Sequence, residues 1–242
     1  MIRQMLRSSM DRRIQRYQSD EIRRLAQDSD YAFRASRSIF YSEIGRWLDV
    51  GREADILEIG CGPGRYAAML GCLGFKVVAA DIHEFASWET VRRLPNVSLQ
   101  SEIDAANLPY PDGSFDAVTC MGALLYFAEP GRALKEMRRV LRPSGRLIVR
   151  TVNANNLYRG THSRDIDPAT CNVYTENSLA EALNDNGFTV ESTSAFGFYP
   201  PYFPRAWWFL VNGVISMEYQ IRLSNCCPRA RRVNVNAYAR KN

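Results

Sequence analysis

Histidine is nearly absent from this chain: the 242 residues hold two, His83 and His162. Any chemistry that needs an imidazole has only these to draw on. Lysine is almost as scarce. Lys76, Lys135 and Lys241 stand among 31 basic residues, so the net charge of +5 is carried by arginine. No lysine lies within ten residues of the glycine-rich turn at 60–64. No Gly-Lys-Ser/Thr follows that turn either, which excludes a Walker-type phosphate loop. The six cysteines (Cys61, Cys72, Cys120, Cys171, Cys226, Cys227) form no CxxC pair. Their spacings suit neither a zinc site nor a disulfide framework. Cys61, Cys72 and Cys120 sit in apolar or glycine-rich settings and read as free buried thiols, which points to a reducing cytoplasm. Acidic residues are scattered, with no close His/Asp/Glu cluster, so no metal site is expected. The N-terminal stretch lacks the apolar centre of a signal peptide. The longest apolar run, around 206–217, is interrupted by Asn212 and is too short to cross a bilayer.

What remains is an ordinary soluble composition, 46% hydrophobic and 24% charged. The length suits one α/β domain with additions. Residues 1–50 read as helical, with Ile14, Tyr17, Ile22 and Leu25, then Phe33, Ile39, Phe40, Ile44, Trp47 and Leu48, at helical spacing. Strand and helix signals then alternate. Strands are expected at 54–59, 76–80, 97–102, 115–121, 146–152, 188–194 and 232–239, and helices at 63–73, 84–94, 130–141 and 178–186. That alternation predicts a mainly parallel sheet with helices on both faces. In such a sheet, ligands sit at the carboxyl ends of the strands.

The stretch LEIGCGPGRYA, residues 57–67, joins the first strand to the first helix. Its glycines, Gly60, Gly62 and Gly64, permit positive φ and close approach of a ligand to the main chain. The helix behind them offers unpaired N–H groups. The spacing is GxGxG, and Arg65 stands where the last glycine of a dinucleotide-binding GxGxxG would fall, which counts against NAD. The second strand ends at Asp81, placed to accept hydrogen bonds from the vicinal hydroxyls of a ribose. Asp104 and Ala105 follow the third strand, where an adenine edge could lie.

In this order the motifs resemble those of the class I S-adenosylmethionine-dependent methyltransferases. LEIGCGPGRYA, AADIHEF, IDAANLPYPDGSFDAVTCMGALLYF and ALKEMRRVLRPSGRLIVRT carry the resemblance, close over 56–151 and looser to YTENSLAEALNDNGFTVE. It implies S-adenosyl-L-methionine as cofactor. It also implies a Rossmann-like, seven-stranded, mostly parallel sheet with its last strand antiparallel, a role that 232–239 suits. The backbone of Gly60, Cys61, Gly62 and Gly64 would pass under the methionine part, with Glu58 helping to position it. Asp81 would take the ribose and Ile82 would pack on the adenine. Asp104 and Ala105 would meet its edge, and Cys120 and Met121, at the close of the fourth strand, would contact the methionyl end.

The acceptor is less defined. Transfer to oxygen is the leading expectation, and a hydroxyl acceptor calls for a base. His162, in the loop after the fifth strand, and Tyr126 are the candidates for the catalytic side. The expected organisation is one methyltransferase domain over 1–242: a helical cap to residue 50, a cofactor-binding core at 54–152, and an acceptor-side region at 153–242. That last region contains an aromatic insert at 199–228, with Trp207, Trp208 and Phe209, and a basic tail. The insert would cover the cleft or lie against a membrane surface through 199–232. The acceptor would be a small molecule, a sugar or a lipid-linked precursor. Carbon methylation of a quinone-type ring is the alternative, and a partner subunit without activity is the non-enzymatic one. No DNA partner is expected, and no RNA-binding module is visible.

Overall fold

The computed structural model describes residues 48, 50, 51, 53–155, 171–196 and 234–242. The expected N-terminal helices, His162 and the insert at 199–228 lie outside the described residues.

Seven strands form one sheet in the order β3-β2-β1-β4-β5-β7-β6. They are β1 (Asp55–Ile59), β2 (Lys76–Ala80), β3 (Val97–Gln100), β4 (Phe115–Met121), β5 (Leu141–Val152), β6 (Phe188–Phe196) and β7 (Asn234–Lys241). From β3 to β5 all neighbours are parallel. β7 inserts between β5 and β6, antiparallel to both. The expected seven-stranded, mostly parallel sheet with an antiparallel last strand is therefore present. The chain runs outward from β1 to β3, then crosses back to β4 on the other side of β1. This reversal is the topological switch point, where the carboxyl ends of β1 and β4 diverge.

Strands covered on both faces need apolar side chains on both. On one face Ile56, Val77, Ala79, Ala117, Met121, Ile148 and Tyr238 pack under α1 (Arg65–Cys72) and α2 (Trp88–Val91). On the other, Leu57, Ile59, Val118, Cys120, Leu147, Val149 and Ala237 pack under α3 (Pro130–Val140) and α4 (Glu176–Asp185). α3 starts with proline in its first turn and buries Ala133, Leu134, Met137 and Val140, one stripe at helical period. α4 begins with a capping box: Thr175 and Ser178 satisfy each other's backbone amides.

Two boundaries differ from expectation for local reasons. The helix expected over 84–94 shrinks to Trp88–Val91, and at its start the Ser87 and Trp88 side chains brace the glycine turn. Leu141, read as the end of α3, instead opens β5, and Pro143–Gly145 does not break that strand. The irregularity is absorbed as a register shift between Phe115 and Ala117 on β4. Gly145 makes this possible, since a Cβ there would lie 2.9 Å from the Arg142 carbonyl oxygen and 3.1 Å from that of Asp116. Among the described residues, no helix is long and apolar enough to cross a membrane.

The loop from β3 to β4 is pinned by Arg139 of α3. Its guanidinium donates to the Leu108 and Tyr110 carbonyl oxygens at 2.9 and 2.8 Å, and to Glu136 and Asp112. Glu136 in turn accepts from the Leu108 amide at 2.9 Å. A planar five-donor fork can serve this many acceptors, and no other side chain can. Arg139→Met, which keeps the stem and removes the fork, should destabilise the chain by about 2 kcal/mol, mostly through the two orphaned carbonyls. Denaturant unfolding at constant m-value measures it.

Candidate active site

The turn after β1 is built from main-chain contacts. The Gly60 and Cys61 amides both donate to the Ala80 carbonyl at 2.8 and 3.2 Å, tying the turn to the end of β2. Gly60, Gly62 and Gly64 all have positive φ, at 67°, 51° and 80°. At Gly60 an added Cβ would fall 2.2 Å from the Ala123 Cβ, so β1 and β4 meet at their carboxyl ends with no room for a side chain. Gly64 caps α1 without a side-chain acceptor, which leaves the first amides of the helix for other partners.

Asp81 closes the arrangement. Its Oδ2 accepts the Gly62 amide at 2.8 Å and its Oδ1 accepts the His83 amide at 3.0 Å. A carboxylate has about four acceptor positions, so two backbone bonds orient it and leave capacity for a diol. Burial holds its carboxyl above the ordinary range, and the Gly62 and His83 amides offset part of that. Ile82 beside it is 50% exposed, an apolar face presented outward. Ser87 and Trp88 complete the brace. The Ser87 hydroxyl donates to the Pro63 carbonyl at 2.9 Å and the indole N–H donates to that of Gly62 at 2.7 Å. Sequence reasoning missed this pair. A tryptophan 26 positions beyond its partner carries no spacing rule, and the contact exists only once β2 lies beside β1.

The third-strand pieces are linked through the main chain: the Ile103 amide donates to the Asp81 carbonyl at 3.1 Å. Asp104 is exposed, and its Oδ1 accepts the Ala106 amide at 2.8 Å. Ala105 is buried. Cys61 and Cys120 are also buried, and burial raises both thiols, Cys120 to about 12. Their sulfurs are inert at neutral pH, so what these residues offer a ligand is backbone. Cys120 and Met121 are the last two residues of β4. Tyr126 ends a short 3-10 turn, Leu124–Tyr126, and is 38% exposed. Asn172 fastens this turn to the later chain, its amide donating to Leu125 at 2.8 Å and its side chain to Phe127 at 2.7 Å. Among the described residues, no group of three or more His, Cys, Asp or Glu side chains could hold a metal.

Glu58 is the anomaly. It lies on β1 two residues before the turn, is 0% exposed, and neither carboxyl oxygen makes a well-formed hydrogen bond, the Ala67 amide being the one donor near it. Thr119, its register partner on β4, has an equally buried and unsatisfied hydroxyl. Burial first, then the nearby Asp81 charge, raise the Glu58 carboxyl well above its usual range. Only the Ala67 amide at the start of α1 pulls the other way. Orphaned buried polar atoms in a native fold mark a functional group or an absent partner.

Two expectations follow. Gly60→Ala adds steric overlap to a left-handed backbone and should destabilise the fold by about 3 kcal/mol. Adding Ala123→Gly should return roughly half of that loss, and a double-mutant cycle by thermal unfolding reads the coupling. For Glu58 the folded chain holds the proton more tightly than the unfolded one. That contribution to stability is complete below the ordinary value of 4.5 and is lost as pH rises through the folded value. Glu58→Gln should therefore have the higher Tm at about pH 8, with the difference closing toward about pH 4. A Tm series across that range checks the sign.

Comparison with known proteins gives the arrangement a family. Residues 57–149 match the family described as a methyltransferase domain. A probable S-adenosylmethionine-dependent methyltransferase of Mycobacterium tuberculosis is 34% identical over 134 residues, 55% of this chain and 48% of that protein. A demethylmenaquinone methyltransferase of Paenarthrobacter aurescens is 32% identical over 160 residues, 66% of this chain and 58% of that protein. The chain thus spans about half the length of the curated relatives it matches. The fold is also that of the Burkholderia thailandensis 1,6-didemethyltoxoflavin-N1-methyltransferase, solved with its substrate and S-adenosylhomocysteine. The TM-score is 0.62 at 21% identity, over 97% of this chain and 88% of that one. Residues 57–149, with the glycine turn at their head, thus match the methyltransferase domain family, and the chain shares the fold of this solved methyltransferase.

Proposed function

We propose that this chain transfers the methyl group of S-adenosyl-L-methionine to a hydroxylated small-molecule acceptor, with oxygen as the receiving atom. The observation that carries the reading is the Asp81 carboxylate locked to the Gly62 amide at the switch point of the sheet.

The residues present fit the cofactor. Glu58 offers two buried oxygens with no well-formed hydrogen bond. A Cβ on Gly62 or Gly122 would meet nothing within 4 Å, so there is open space against the main chain at the ends of β1 and β4. Backbone at Gly60, Cys61, Gly62, Gly64, Cys120 and Met121 would hold the methionine part, and Asp81 the ribose hydroxyls. Ile82 would cover one adenine face, with Asp104 and Ala105 at its edge. The bound cofactor supplies a methyl group on a sulfonium, already activated toward a nucleophile.

The work of the chain is then to orient, to exclude water and to remove a proton. The cofactor floor is rigid, because each piece of it is fastened to a strand end. On the acceptor side Tyr126 stands partly exposed, on a turn anchored by Asn172. His162, outside the described residues, is the proposed base, and the insert at 199–228 the proposed cover for a sugar or lipid-linked acceptor. Location in the cytoplasm, with membrane contact through 199–232, belongs to the same proposal.

A second reading has a specific observation in its favour, the similarity to a demethylmenaquinone methyltransferase. A ring hydroxyl that loses its proton delocalises charge onto ring carbon, so the same site could direct the methyl group to carbon. Incubation with methyl-labelled cofactor and a panel of hydroxylated sugars, phenols and quinol precursors tests both. An O-methyl product supports the leading reading, a C-methyl product the second, and no labelled product with any acceptor would sink both. Asp81→Asn should weaken S-adenosylhomocysteine binding by about ten- to a hundred-fold in calorimetry, since an amide offers one acceptor atom where the carboxylate offers two. Unchanged affinity would remove Asp81 from the ribose site.

A further inference from the structure

Glu58 is buried beyond what its structural surroundings reward. The residue belongs to the central strand of the sheet, is flanked by Ala79 and Thr119 in register, and is covered by α1. The groups facing it are Asp81 from the end of β2, the Cys61 thiol from the turn, and the Ala67 amide from α1. Among the described residues, none of these is a cation. Arg150, on the same face of the sheet, is bonded to Asn236 and to the Tyr66 hydroxyl. Two acids and a thiol thus line a floor whose one helpful donor is a single amide. An isolated carboxylate is not tolerated in such a place, and a neutral carboxylic acid is. A cation arriving at the glycine turn reverses that preference.

We propose that Glu58 is neutral in the free chain and surrenders its proton to solvent when the ammonium of the cofactor's methionine part docks, so that cofactor binding is coupled to proton release. The inference rests on the cofactor reading above and adds a positioning role to it. The balance is simple. The carboxyl O–H bond breaks, the proton goes to buffer, and the carboxylate left behind pairs with the ligand's ammonium. No oxidant or co-reactant is needed. The charge that forms is matched at once by one of opposite sign, which is the condition for keeping it buried.

The test is calorimetric titration of the full chain with S-adenosylhomocysteine in buffers of different ionisation enthalpy, between about pH 5.5 and 7. An α-amino group there remains charged, because it titrates at about 8. This ligand lacks the sulfonium, so the ammonium is its only cation. The expected result is a buffer-dependent enthalpy reporting up to about one proton released, and an affinity that rises with pH by up to tenfold per unit. Glu58→Gln should bind with no buffer dependence and a flat pH profile. Methylthioadenosine, which has the nucleoside and no ammonium, should release none from the native chain. Should the variant fail to fold, difference infrared spectra of the native chain serve instead, with loss of a protonated-carboxyl band on ligand addition as the expected sign. Binding with the same enthalpy in every buffer overturns the inference while leaving the cofactor reading intact. Release that persists in Glu58→Gln also overturns it, since another group would be the source. Absence of any binding defeats the cofactor reading itself.

Discussion

The hydrogen bond from the Gly62 amide to the Asp81 carboxylate is the constraint on which the carboxyl edge of this sheet depends. It joins two segments that leave neighbouring strands in different directions. Without it the turn after β1 would be held to β2 only through the Ala80 carbonyl. With it, the turn is fixed from below by main chain and from the side by a charged acceptor. Bonds to a charged group are about twice as strong as neutral ones, so this single contact outweighs its neighbours. Trp88 and Ser87 then lock the outer rim by taking the Gly62 and Pro63 carbonyls. Three glycines alone would give a loose loop, since glycine loses more freedom on ordering than any other residue. Here the loss is offset by contacts from a single short connection, residues 81–88.

The same edge is electrostatically unbalanced. Glu58 and Asp81 both lie where burial disfavours their charged forms, and the Asp81 charge makes Glu58 less willing still to ionise. Elsewhere the described acids have partners: Asp116 and Asp55 share Arg142, and Glu191 bridges Arg146 and Arg240. The contrast separates two uses of charge. Ion pairs at the amino ends and on the antiparallel edge organise surface, and exposed pairs of this kind contribute little. Glu58 and Asp81, under the glycine turn, make no printed ion pair and are the described acids whose charged forms burial disfavours most. That is where a binding reaction can draw on a strained ground state.

Much of the fold was legible in the sequence. Short apolar runs such as the VVAA that follows Lys76 signal strands buried on both faces, and the stripe Leu134, Met137, Val140 signals a helix with one covered side. The glycine turn and Asp81 were legible as well, because positive φ and a strand-end carboxylate have few other uses. What the sequence did not disclose were contacts between distant segments. Arg139 reaches back 31 residues to the Leu108 carbonyl, and Trp88 reaches back 26 to Gly62. Both act through main-chain oxygens, which every residue has, so nothing in the partner's identity advertises them. The shortness of α2 was not legible either: local propensity favoured a helix over 84–94, and only Trp88–Val91 is one.

By itself the sequence determined the alternation of strand and helix, the parallel sheet it requires, and the place in the chain where the backbone is bare of side chains. These follow from side-chain period and from glycine, which are local properties. Only the tertiary structure decided that Gly60 touches Ala123 across the switch point, and that Asp81 is oriented by two amides before any ligand arrives. It alone decided that Glu58 is sealed from water with no well-formed hydrogen bond and only the Ala67 amide near it. A glutamate in a strand reads as an ordinary polar interruption. Whether it is solvated, paired or orphaned depends on what the neighbouring strands and the covering helix put around it, and that is set by packing, not by its own place in the chain.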